Sequence, residues 1–267
     1  MGNVFFAFLL TMIAGLSTGI GSGIAFFAKK TNIRFLAVSL GFSAGVMIFV
    51  SMIEIYAEAQ AILTVVLGAR LGAWATLGGF FGGIGLIAVI DFLIPSEQNP
   101  HEIKNYHDEE MKEQNHHEHL MRTGLFTALA IAVHNFPEGL ATFISALQEP
   151  SLAIPIVVAI AIHNIPEGIA VSVPIYYATG DKKKAFLYSF LSGLAEPCGA
   201  LVGYLLLMPI MNDLVFGIIF AGVAGIMVFI SLDELLPSAR AYGAHHLSII
   251  GLVFGMLIMG VSLTLFV

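Results

Sequence analysis

The chain is a succession of apolar runs, each long enough to cross a lipid bilayer, and this limits its folds more than any other feature. A transmembrane helix needs about 20 predominantly apolar residues to span a hydrocarbon core of about 30 Å. Eight runs meet that requirement: 3–28, 33–57, 71–94, 123–147, 152–177, 185–209, 213–237 and 246–266. In lipid, only helices and closed barrels satisfy their own backbone hydrogen bonds. No segment alternates polar and apolar residues as a membrane barrel requires. The expected fold is therefore an all-α membrane protein with eight transmembrane helices, a single integral-membrane domain over residues 1–267. Charged residues make up only 11% of the chain, against about 25% in soluble globular proteins, which excludes a water-soluble enzyme. A net charge of −7 excludes a nucleic-acid binder, which needs a basic surface. The single cysteine, Cys198, allows neither a disulfide framework nor a thiolate metal cluster.

Polar or turn-forming clusters separate the runs at 29–34, 148–151, 180–184, 212–213 and 240–246. Residues 60–70 are ambiguous, being apolar over 61–68 but short, and 96–122 is the long polar loop. With eight spans, ten of the eleven Lys and Arg residues fall on one side of the membrane and only Arg70 on the other. By the positive-inside rule the first side is cytoplasmic, so both termini are extracytoplasmic and the protein resides in the cytoplasmic membrane. The basic pair Lys29 and Lys30 follows the first apolar run rather than preceding it, which argues against a cleaved signal peptide.

Ionisable residues inside a bilayer are costly and mark function by default. The runs contain Glu54, Asp91, His134, Glu138, His163, Glu167, Glu196, Asp233 and Glu234, and no Lys or Arg lies well inside any of them. A buried structural ion pair would need a cationic partner. A bound or passing cation supplies the missing charge most simply.

Two segments repeat 29 residues apart: His134-Asn135-Phe136-Pro137-Glu138-Gly139 and His163-Asn164-Ile165-Pro166-Glu167-Gly168. Within each, His and Glu are four apart and Asn and Glu three apart, so all three project from one helical face. Proline cannot donate to the carbonyl four residues earlier, so a kink is expected, with the carbonyls of Val133 and Ile162 left as acceptors. His134 precedes Gln148 by 14 residues and His163 follows Pro150 by 13, which places both about 20 Å from the turn between them. Glu196 lies 12 residues beyond Lys184, as His134 lies 12 beyond Arg122, so these match in depth from the opposite side. Imidazole and carboxylate at one level near the midplane suit Zn²⁺, Fe²⁺, Mn²⁺ or Co²⁺, and the absence of thiolates argues against copper(I).

With these motifs, with Ser192-Gly193-Leu194-Ala195-Glu196 and with Ala224-Gly225-Ile226-Met227 running to Asp233-Glu234, the sequence resembles the ZIP family of metal transporters nearly end to end. The resemblance implies an eight-helix bundle of 3+2+3 plan with an inverted repeat and both termini outside. It implies a first metal site from His134, Glu138, His163 and Glu167. An adjacent second site would come from Asn135, Asn164 and Glu196, with Glu138 and Glu167 bridging the two. It further implies uptake of zinc by sliding of spans 1, 4, 5 and 6 against 2, 3, 7 and 8. The ion is a transported substrate, not a cofactor, and Fe²⁺, Mn²⁺, Co²⁺ and Cd²⁺ suit the same ligands. Pro197, directly after Glu196, leaves its effect on the second site open.

The inverted repeat has support in the residues themselves. AGVMIFVSMIE at 44–54 aligns without gaps with AGIMVFISLDE at 224–234, in spans that run in opposite directions. Glu54 then lies near the outer surface, and Asp233 and Glu234 near the inner one. There they collect and release ions or are simply solvated. The loop 96–122 carries His101, His107, His116, His117 and His119 among acidic residues; it is either a weak cytoplasmic metal binder or a solvated linker. Glycine pairs four apart, at 15/19, 19/23, 78/82, 79/83, 199/203 and 251/255, permit close helix packing within the bundle or in a homodimer. Two rival functions remain at this level. A channel would share the ion site, and a membrane di-metal enzyme would need more histidines than the two that lie within the spans.

Overall fold

A chain with so few polar side chains must pair its backbone groups internally, and nearly every residue described is helical. The computed structural model describes residues 2–27, 33–93, 113–148, 150–207, 210, 212–241 and 245–265. The helices are α1 (Gly2–Phe27), α2 (Ile33–Val50), α3 (Tyr56–Leu67), α4 (Ala69–Leu93), α5 (Glu113–Gln148), α6 (Pro150–Thr179), α7 (Lys182–Gly193), α8 (Ala195–Val202), α9 (Asp213–Ile230), α10 (Leu236–Ala241) and α11 (His245–Leu265). Among the described residues six stretches are long and apolar enough to cross a membrane: Val4–Gly23, Ala37–Leu67, Ala69–Phe92, Lys182–Leu206, Asp213–Asp233 and His245–Leu265. The two long helices outside this set, α5 and α6, carry the paired motifs; α6 contains the shorter apolar stretch Ile160–Val173.

Helix boundaries follow local chemistry. Asp181 caps α7 by accepting from the backbone N–H groups of Lys183 and Lys184, and Asn212 caps α9 by accepting from that of Val215. Gly180, at φ +68°, ends α6 in the left-handed region that glycine tolerates best. The ambiguous residues 60–70 do not form a separate element. α2 continues through a π turn (Ser51–Ile55) into α3 and stops at Gly68, where φ is +81°. The fourth run also starts earlier than expected. Residues 113–122 are mostly good helix formers with no Gly or Pro, so α5 begins at Glu113 and places His116, His117 and His119 in helix. His101 and His107 lie outside the described residues.

The sequence repeat reappears as a structural one. The segment aligned with Ser51–Ile55 is Ser231–Leu235, and it too forms a π turn, between α9 and α10; a further π turn, Gly203–Leu207, follows α8 outside the repeat. A π turn inserts one residue into the helical register and is common near functional sites. Helix pairings repeat as well: α2 packs on α11 as α9 packs on α4, α1 on α6 as α5 on α8, and α2 on α6 as α9 on α5. The most extensive contacts fall into two groups. One contains α1, α5, α6, α7 and α8; the other contains α2, α3, α4, α9 and α11, and the two meet along α2–α6 and α5–α9.

Small residues let these helices approach closely. A Cβ at Gly251 would stand 2.4 Å from the Val38 carbonyl oxygen and one at Gly255 2.2 Å from that of Phe42, which fixes α11 against α2. Gly83 meets the Gly222 carbonyl of α9 in the same way. Gly23, Gly78 and Gly82, in contrast, face open space. Of the six apolar stretches, the one that begins with α9 is the most buried, at 61%, whereas those of α4 and α11 are 22% buried and present large apolar side chains such as Phe92 and Leu257 outward. Such a surface suits lipid rather than water.

Candidate metal centre

Each motif lies on one continuous helix, the first on α5 and the second on α6, and these helices pack against each other and against α1 and the α7–α8 span. Spacings of three and four turn His, Asn and Glu of each motif to the same side. All seven expected ligands are buried: His134, Asn135, His163, Asn164, Glu167 and Glu196 are 0% exposed and Glu138 2%. Described Lys and Arg side chains (Arg34, Arg70, Lys182, Lys183, Lys184 and Arg240) are all exposed. The buried acids therefore have histidines, not lysines or arginines, as neighbours.

The histidines and glutamates pair across the helices rather than within a motif. His134 Nε2 lies 3.2 Å from Glu167 Oε1, and His163 Nε2 lies 2.9 Å from Glu138 Oε1. This crossed arrangement gives the two motif copies approximately equivalent surroundings. Ligand atoms that share one ion at about 2.1 Å stand about 3.0–3.4 Å apart, so both separations are compatible with donors facing a common cation. Among the described residues no three His, Cys, Asp or Glu side chains form a ready-made cage. The donors come as two pairs, with Glu196 within electrostatic reach of both Glu138 and Glu167.

Both asparagines are oriented by their amide nitrogens. Asn135 Nδ2 donates to the Ser192 carbonyl at 3.4 Å; Asn164 Nδ2 donates to the Ala14 carbonyl at 3.0 Å and to Glu196 Oε1. Acceptors remain unused at the centre. Asn135 Oδ1, Asn164 Oδ1, both Glu138 carboxylate oxygens, Glu167 Oε2 and Glu196 Oε2 are buried with no hydrogen-bond partner among the described residues. Buried polar atoms are nearly always paired. Six orphaned oxygens around two imidazoles suit a positive ligand.

Pro197 acts on its own helix. Pro197 cannot donate to the carbonyl of Gly193, and the sixth run divides there into α7 and α8, with Leu194 between them. The Gly193 carbonyl faces α1 instead, 2.4 Å from where a Cβ on Gly15 would be. The break sets Glu196 in the first turn of α8, facing α5. The prolines inside the motifs act differently: α5 and α6 stay helical through Pro137 and Pro166, and the expected kinks do not interrupt either helix.

The motif glycines are packing residues. A Cβ on Gly139 would lie 2.0 Å from the Glu196 carbonyl oxygen, and one on Gly168 would lie 1.9 Å from that of Thr18. Each glutamate of the motifs is thus followed by the residue that lets the next helix reach it. Hydroxyls complete the surround. Ser22 and Ser189 both donate to the Gly168 carbonyl, at 3.5 and 3.1 Å, and Ser43 of α2 donates to the His163 carbonyl at 3.4 Å. Sequence reasoning missed this contribution of α1 and α2; the available signal was the row of buried Ser17, Thr18 and Ser22 in an otherwise apolar run. The structure does not place the remaining acids on the motif helices. Glu54 lies in the π turn Ser51–Ile55, Asp233 and Glu234 lie in the π turn Ser231–Leu235, and Asp91 lies near the end of α4.

The family model described as "ZIP Zinc transporter" matches residues 93–263. The chain is 69% identical over 265 residues to the zinc transporter ZupT of Streptococcus mutans, covering 99% of each protein. It is 63% identical to the ZupT of Clostridium perfringens, over 100% of this chain and 98% of that protein. It is 61% identical to that of Lysinibacillus sphaericus, over 100% and 99%. These are transporters rather than enzymes, which removes the di-metal enzyme reading. Buried crossed His–Glu pairs in a multi-pass helical membrane protein and near end-to-end identity lead to one conclusion: the chain belongs to the ZIP family of zinc transporters.

Proposed function

We propose that this protein carries zinc across the cytoplasmic membrane into the cytoplasm by alternating access to the centre between α5 and α6. Fe²⁺, Mn²⁺, Co²⁺ and Cd²⁺ are further substrates of the same ligand chemistry. The observation that carries the reading is the pair of crossed His–Glu contacts surrounded by orphaned buried oxygens. Zinc as the cargo is supported by the names of the relatives. His134, Glu138, His163 and Glu167 bind the ion, and Asn135, Asn164 and Glu196 supply the adjacent acceptors.

The full architecture in this reading is eight spans in a 3+2+3 plan with both termini extracytoplasmic. Support comes from the gap-free repeat, the matched π turns and the repeated helix pairings. The two helix groups provide the bodies that move. One carries every residue of the centre, and its border with the other runs mainly along α2–α6 and α5–α9. Glu54 receives ions on the outer side and Asp233 with Glu234 releases them on the inner side. A homodimer is compatible with the apolar outer faces of α4 and α11.

Uptake of several metals by wild-type proteoliposomes at two pH values tests the reading. The ligands must shed protons to bind metal, so zinc uptake is expected to saturate and to need more zinc at the lower pH. Linear flux up to high zinc concentration would instead identify a channel, and flux insensitive to pH would remove the imidazoles from the ion site. The loop histidines have a separate readout. Replacing His101, His107, His116, His117 and His119 by Ser is expected to leave initial uptake within about twofold while relieving self-limitation at high zinc. Unchanged self-limitation would make the segment a linker.

A further inference from the structure

α7 turns its small and polar side chains inward and its large apolar ones outward. Ala185, Ser189, Ser192 and Gly193 are buried in the bundle, whereas Leu187 and Leu191 are exposed. A hydrocarbon surround selects that inversion. Lys183 lies four residues before Leu187 and eight before Leu191, so the three follow one row along the helix. Lys182, Lys183 and Lys184 are exposed, and they open the apolar stretch Lys182–Leu206. Lys184 precedes Glu196 by 12 residues, about 18 Å along a helix, and half a hydrocarbon core is about 15 Å. With Glu196 near the midplane, the ammonium groups stand at headgroup level. Tyr176 and Tyr188 pack on Ala128, Ile131 and Ile175 at the same end, and tyrosine is enriched at that depth. A helix N-terminus carries partial positive charge, so three lysines in the first turn oppose the dipole and one another. Asp181 offsets one of the three charges, and its Oδ1 is held by the backbone N–H groups of Lys183 and Lys184. Lys182 Nζ stands 5.8 Å from the centre of the Tyr176 ring.

We infer that this end of α7 docks one anionic phospholipid, its phosphate against Lys182, Lys183 and Lys184 and an acyl chain along Leu187 and Leu191. Charge complementarity selects the headgroup, and the apolar row beneath it selects a lipid over a free anion. Each lysine beside an anionic surface strengthens association about fivefold. The phosphate also relieves the repulsion in the first turn and keeps that turn formed. α7 belongs to the helix group that carries the buried centre, so the lipid steadies the group that handles the ion, and uptake is faster with it bound. The link to uptake rests on the transport proposed above; the lipid site itself does not.

Native mass spectrometry of the full-length protein in detergent, offered phosphatidylglycerol and phosphatidylcholine in equal amounts, tests the site. Wild type is expected to retain phosphatidylglycerol in preference. Combining Lys182→Gln, Lys183→Gln and Lys184→Gln should weaken that retention about 100-fold, and the corresponding three arginine substitutions should preserve it. No preference in wild type overturns the inference and needs no variant to fold. Equal retention in the glutamine variant overturns it as well. So does displacement of the lipid by inorganic phosphate beyond that caused by chloride at equal ionic strength, which would make the lysines a free-anion site. Zinc uptake into vesicles of phosphatidylcholine, with and without phosphatidylglycerol, tests the consequence. Zinc concentrated at an anionic surface raises uptake by both proteins, and wild type is expected to gain more than the glutamine variant. An equal gain severs the lipid from transport. Absence of zinc uptake by wild type in either vesicle would sink the transport function and leave the lipid measurement standing.

Discussion

Zinc uptake into proteoliposomes is expected to fall to the level of protein-free vesicles when Glu138 or Glu167 is replaced by alanine. Each carboxylate faces the imidazole of the other motif, Glu138 on His163 and Glu167 on His134. Losing either one therefore removes an acidic ligand and also leaves a buried histidine without its acidic partner. Changing only the outer hydrogen-bond partner of a metal ligand already costs about 10–100-fold in metal affinity or activity. Loss of the ligand itself should exceed about 100-fold. Asn135→Ala, Asn164→Ala and Glu196→Ala remove neighbouring acceptors and should shift rate or metal choice more than they abolish zinc movement. The measurement is initial radiolabelled zinc uptake, normalised to protein recovered in the vesicles. Wild-type rates in Glu138→Ala would rule out the crossed pairs as the ion site.

The second large effect falls on residues with no chemistry of their own. Gly139→Ala and Gly168→Ala each put a methyl group about 2 Å from a backbone carbonyl, that of Glu196 and that of Thr18 respectively. Backbone oxygen cannot swing aside as a flexible side chain does, so the helices must separate by about 1 Å. Such overpacking costs about 1–3 kcal/mol, and displacement of that size is enough to disable a preorganised site. Both variants should reach the membrane in reduced amount, with uptake per molecule down by about tenfold or more. Gly78→Ala is the control, because a Cβ there meets nothing within 4 Å, and it should behave as wild type. If all three variants transport equally, close helix approach does not position the centre.

Much of this was legible in the sequence because lipid removes alternatives. In a low-dielectric solvent the backbone must be helical, and acids without a cationic residue nearby stand out at once. The double motif, its spacing and the depth of Glu196 single out seven polar residues that prove buried, since a helical period of 3.6 fixes which side chains share a face. The repeat at 44–54 and 224–234 likewise predicts a structural repeat. It does not predict that both copies widen into π turns, because that depends on one extra residue in the register rather than on composition.

Other features depend on contacts between distant segments. Hydropathy could not decide whether residues 60–70 cross, turn or continue, and the answer lies in packing of α3 against α4 and α9. Periodicity groups each histidine with the glutamate of its own motif, whereas the pairs form across the two helices, 33 and 25 residues apart in the chain. Which glycines pack tightly is likewise invisible locally. Gly78 and Gly79 are neighbours in sequence, but only Gly79 faces α9.

The sequence by itself determined that this chain spans a membrane as helices and which polar groups share a helical face at its centre, because hydrophobicity and side-chain period are local quantities. Only the tertiary structure decided how those groups are shared: imidazole with the opposite carboxylate, and the Asn164 amide with Ala14 and Glu196. Hydrogen-bond partners are chosen by the distance between helices, and that distance is set by the glycines and carbonyls of neighbouring segments far away in the chain.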